Sequence, residues 1–127
     1  MFSRSSLSEG IDTELKPALR ALRDEFGAFA SAIVSRDGLI IAGDIPDDMS
    51  GETFGIMCAT LLGAACTANS ELKASTPIGV VVESEDSIMI LVGAGRKALI
   101  VAAMPREIDC DAARKKLESL AETIKLI

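Results

Sequence analysis

The longest uncharged run in the chain, TFGIMCATLLGAACTANS at 53–70, lies between Glu52 and Glu71. Upstream of it, Ile11, Leu15, Leu19, Leu22 and Phe26 fall on one stripe at helical spacing over 11–26. Pro17 marks either the start of that helix or a kink in it, and Gly27 supplies a stop. The apolar runs 28–34 and 39–43 flank SRDG, whose Asp37–Gly38 pair predicts a tight hairpin. A turn-rich loop over 43–51 leads to Ser50, a cap for a helix running to about Leu72 that 75–77 ends. The runs 78–83, 87–92 and 98–104 are aliphatic, too short for helices, and separated by turn formers, so they read as strands. Ala113, Leu117, Leu120, Ala121 and Ile124 then share one face of a last helix, capped by Asp109 or Asp111.

The predicted order is helix, two strands, helix, three strands, helix. Strands joined by tight turns pair antiparallel. The last three strands are apolar on both faces, which calls for helices on both sides of the sheet and an α/β/α sandwich.

A helix without a wet face is buried on more than one side or lies in a membrane. About 20 apolar residues are needed to span, but Thr53, Thr60, Thr67, Asn69 and Ser70 make 53–70 a poor span, and none is predicted. Phe54, Cys58, Leu61, Ala65 and Leu72 are placed to face the sheet. Gly55, Ala59, Gly63 and Thr67 recur every fourth residue as a ridge of small side chains that lets another helix approach closely. One sheet covers one face of a helix, so a polypeptide partner, a second copy being the simplest, is expected on the other. The alternative is that glycine and alanine merely fit against a crowded sheet of the same molecule.

At this point the chain resembles the roadblock family, of the dynein light-chain roadblock type. The residues that carry the resemblance are GAFASAIVSRDGLIIAGDIPDD, the uncharged helix 53–70, and VVVESEDSIMILVGAGRKALIVAAM, and the likeness extends over about 11–125. It implies a five-stranded antiparallel sheet of roadblock/profilin-like type, with the middle helix on one face and the two terminal helices on the other. It further implies a homodimer formed through 53–72 and the edge strand 78–83. The expected interface residues are therefore Gly55, Ala59, Leu62, Gly63, Cys66, Thr67, Ile78, Val80 and Val82. The resemblance implies a small Ras-like GTPase as partner, bound by a regulator or scaffold without catalytic residues of its own. An adaptor subunit of a motor or signalling assembly, and a ligand-sensing module of PAS or profilin-like type, stand as alternatives.

Composition narrows the chemistry. At 127 residues, one domain over 10–127 is expected, preceded by a Ser-rich, loosely ordered arm over 1–9. A net charge of −6 argues against nucleic acid as a partner. An odd count of three cysteines without C-x-x-C, and the absence of an apolar signal run, fit a cytoplasmic protein. The absence of His removes the usual acid/base, and no nucleophile–base pair can be assembled, so neither an enzyme nor a cofactor is expected. Gly93 and Gly95 sit between strands and read as a hairpin turn, not a phosphate loop. Asp44, Asp47 and Asp48 lack the ligand ladder of a calcium loop and read as a solvated turn. Cys58 and Cys66 read as core residues and no metal site is expected. Arg96 at a hairpin tip reads as solubilising in preference to an arginine finger.

Overall fold

The computed structural model describes the backbone of residues 4–126 and the side chains of residues 15–126. Its elements are α1 (Arg4–Phe26), β1 (Ala30–Ser35), β2 (Ile40–Asp44), α2 (Gly51–Glu71), β3 (Gly79–Glu83), β4 (Ser87–Ala94), β5 (Ala98–Pro105) and α3 (Cys110–Lys125). The strands form one antiparallel sheet in the order β2-β1-β5-β4-β3. This is the element order and the five-stranded architecture expected from the sequence.

Alternation along the central strands divides the core in two, because successive side chains leave a strand on opposite faces. Ile33, Ile90, Ile100 and Met104 meet Leu15, Leu19, Leu22 and Phe26 of α1 and Ala113, Leu117, Ala121 and Ile124 of α3. On the other face Ala32, Val34, Leu91, Leu99 and Val101 meet Cys58 and Leu62 of α2. Each of the large aliphatic side chains among them contributes roughly 1.5–3 kcal/mol when fully buried, so the many that are nearly solvent-free dominate the stability.

Local signals set the boundaries. Gly27, at φ +68°, takes the left-handed turn that ends α1, and its N–H returns to the Arg23 carbonyl at 2.9 Å. Asp109 caps α3 by accepting from the Ala112 N–H at 3.1 Å. β4 continues through Gly93 to Ala94, so the β4–β5 turn is tighter than the glycines suggested and centres on Gly95, at φ +71°, and the residues after it.

Two features depart from the expected pattern. α1 starts at Arg4, so residues 4–9 are helical, and of the two places open to Pro17 the structure takes the one inside the helix. Leu7 precedes Ile11 by four residues, which carries the helical spacing back through the Ser-rich stretch. Residues 1–3 of the expected arm lie outside the described residues. The second departure is a break in register between β1 and β2: Ile33 faces Ala42, whereas Val34 faces Ile40. Ile41 is the extra residue of a bulge. Ile40 therefore packs with the α2 cluster while Ala42 joins the α1/α3 core.

Candidate functional site

α2 is held at its start by Ser50, whose Oγ accepts from the Thr53 N–H at 3.2 Å. At its end Lys73 adopts φ +57°, its N–H bonds the Ser70 carbonyl at 3.0 Å, and the Asn69 amide donates to the Ser75 carbonyl at 3.0 Å. Cys58 and Leu62 are buried against the sheet, flanked by Phe54, Ala59, Leu61 and Cys66. Burial pushes the Cys58 thiol up to about 11 from an ordinary 9.0.

The opposite face of α2 is apolar and uncovered. Ile56 is 42% and Met57 53% exposed, and they share that face with exposed Thr60, Gly63, Ala64 and Thr67. A Cβ at Gly63 would meet nothing within 4 Å. α2 also packs on β3, which among the described residues pairs only with β4 and leaves its other edge open. Just before β3, Ile78 is 72% exposed, and Val81 on the α3 side of the sheet is 43% exposed. An open strand edge beside an apolar helix face is a surface that invites a polypeptide.

The residues expected at an interface separate into two groups. Gly63, Thr67 and Ile78 are exposed, Ala59, Cys66 and Val80 are half-buried beside the α2 core, and Val82 is half-buried in β3. Gly55 and Leu62 are not on the outer face. Gly55 is buried against the β1–β2 turn, and Leu62 is 1% exposed in the molecule's own core. The geometry of the ridge explains the correction. A step of four residues turns about 40° around a helix, so Gly55 and Thr67 lie about 120° apart. The ridge winds from the sheet side to the solvent side as it ascends. Leu72, expected to face the sheet, is 75% exposed because the helix has ended and it serves as the C-cap. Ile56 and Met57 were absent from the expected surface. Their signal was present: large apolar side chains opposite the Cys58–Leu62 stripe.

Other candidate chemistry has structural partners. Asp44 pairs with Arg23 at 3.4 Å, and among the described residues no cluster of three or more potential ligands is arranged to hold a metal ion. The three cysteines are free thiols. α2 is long and apolar enough to cross a membrane by length and composition, yet it lies on the sheet with Cys58 and Leu62 inserted.

A family model described as Roadblock/LC7 domain matches residues 17–103. An uncharacterised protein of Methanocaldococcus jannaschii is 30% identical over 91 residues, covering 72% of this chain and 77% of that protein. Among solved structures, the gliding protein MglB of Thermus thermophilus aligns with a TM-score of 0.82 at 15% identity, over 99% of this chain and 92% of its own. MglB of Myxococcus xanthus aligns with a TM-score of 0.83 at 10% identity, over 90% and 94%. At such identities the structural likeness speaks for the fold alone.

Proposed function

This chain belongs to the Roadblock/LC7 family, and we propose that within it the protein works as a homodimeric, non-enzymatic regulator or scaffold that binds a small Ras-like GTPase. The observation that carries the reading is the uncovered face of α2, with exposed Ile56 and Met57, set beside the open edge of β3. Antiparallel pairing of two β3 edges extends the sheet across the dimer and brings two α2 helices together on one face. A stable interface of this kind buries on the order of 1,200–2,000 Å² in total. The joined helices form a broad, small-residue platform flanked by the acids of 44–52 and by Glu71, which orient a basic patch on the partner. One GTPase then lies across two copies. With no catalytic group assigned to this chain, a rate effect comes from positioning the GTPase's own switch loops.

The test is calorimetry against each small Ras-like GTPase encoded in the same genome, loaded first with a triphosphate analogue and then with diphosphate. The expected outcome is binding of one GTPase per two chains, with a preference for one nucleotide state. No binding in either state, for every such GTPase, would replace this reading with that of a structural subunit.

A further inference from the structure

We propose that the face of the sheet opposite α2 carries a second docking site, a valley between the two α3 helices of the dimer that receives one amphipathic helix of a protein partner. The second wall of the valley rests on the dimer proposed above; the first wall and the floor are present in the single chain.

The helices do not cover the whole of this face. α1 packs on β2 and β1, and α3 on β4 and β5. β3 is left largely bare there, with Val81 43% exposed and Ile78, just before the strand, 72% exposed. Two clefts run between this bare strip and α3. One, of about 400 Å³, is bounded by Ile78, Val81, Val92, Arg114 and Glu118 among others. The other, of about 470 Å³, continues past Ile78 and Val92 to Ser119 and Glu122. They share Ile78, Val92 and Glu118, so they are one groove along the flank of α3.

Pairing of two β3 edges joins the two bare strips and sets an α3 on either side. The β4–β5 seams beneath those helices are then four strand spacings apart, about 19 Å. Packed helices stand about 8–10 Å from each other, so the gap holds one helix seated on the dyad. Neighbouring strands are rotated by about 20–25°. A helix aligned with the dyad therefore crosses each α3 at about 40–50°, close to the commonest angle at which helix ridges interlock, and with the same hand. A groove of this kind selects an apolar stripe at i, i+3, i+4 and i+7.

The rim favours neither sign of charge. Arg114 is held by Glu118 at 3.2 Å and by Asp111 at 3.6 Å, Glu83 by Arg106 at 3.4 Å, and Lys115 and Glu122 also border the groove. Attraction thus comes from the aliphatic floor and is expected to vary little with salt. The chain's own helices already lay apolar faces on their own sheet, so the occupant comes from a different chain. The α2 face stays free, and the dimer can hold a second protein there at the same time.

The test begins with analytical ultracentrifugation of the wild type, because a monomer would overturn the dimer and the valley together. The dimer is then used to select from phage-displayed peptides of about 20 residues, long enough to be partly helical, that tile the proteins encoded in the same genome. The expected result is enrichment of amphipathic helices that bind one per two chains and shift the methyl signals of Val81 and Val92 but not of Met57. Ser119→Tyr, at an exposed position on the α3 flank, narrows the valley and is expected to weaken binding about tenfold while leaving the dimer intact. Val81→Thr keeps the side chain's shape and is expected to weaken it by a similar factor, about tenfold, through the buried hydroxyl. A dimer that enriches no such helix, peptides that bind one per chain or shift Met57 instead, or unchanged affinity in both variants would overturn the valley and leave the dimer standing.

Discussion

Gly55 on α2 lies directly against the backbone of Gly38 in the β1–β2 turn: a Cβ at position 55 would stand 2.5 Å from the Gly38 carbonyl oxygen. Gly38 itself holds φ +96°, so neither residue can yield easily. The contact docks the first turns of α2 onto the hairpin. Gly63, two turns later on the same helix, has open space around it.

The pair gives a prediction with an internal control. Replacing either glycine by alanine adds about 1 kcal/mol of helix propensity. At position 55 the gain is opposed by overpacking, which costs about 1–3 kcal/mol. Gly55→Ala is therefore expected to melt below Gly63→Ala, and at or below the wild type. Thermal unfolding followed by circular dichroism decides it. If Gly55→Ala melts as high as Gly63→Ala, the close approach to Gly38 does not constrain the fold.

The outer face of α2 yields a second expectation. Met57 is 53% exposed and Gly63 is open to solvent in the single chain. Met57→Glu and Gly63→Glu should then leave the helical content and the fold unchanged. In a dimer formed through this face, the same changes bury a charge without a partner, which is heavily unfavourable. Analytical ultracentrifugation at micromolar concentration is expected to show a dimeric wild type and monomeric variants with unaltered circular dichroism. A monomeric wild type, or dimeric variants, would remove α2 from the interface.

The fold was legible because each element carried its own punctuation. Ser50 and Asp109 cap helices through contacts short enough to be read from sequence, and Asp37–Gly38 and Gly95 turn the hairpins. The two-sided apolar pattern of β4 and β5 announced helices on both faces. Three things were not legible. The bulge at Ile41 depends on how β1 and β2 settle against α1 and α2, and LIIAG offers no local sign of it. The fate of Gly55 and Leu62 depended on the rotation of α2 about its axis. An apolar helix gives no polar stripe from which to read that rotation, and its ridge of small residues winds across both faces. The placement of Arg36, whose Nη2 lies 3.0 Å from where a Cβ on Gly93 would stand, was hidden because it joins residues of different hairpins, which only the sheet order brings together.

Cys58 supplies the last prediction. Its side chain is 2% exposed beneath α2, and burial raises its thiol to about 11, against 9.0 for the unhindered group. The native state therefore holds this proton to higher pH than the unfolded chain does. The contribution to stability is fully present below about pH 9 and is lost as pH rises through about 11, since unfolding releases the thiolate to water. A separation of about two pH units corresponds to about 2–3 kcal/mol lost across that window. The chain contains no Tyr, so no phenol ionises in the same range. Cys58→Ala isolates the contribution of the thiol. It is expected to be less stable than the wild type near neutrality because it leaves a small cavity, and to lose less stability between about pH 8.5 and 11. Urea unfolding of both proteins across that range measures the difference. Parallel curves would show that the buried thiol does not couple to folding.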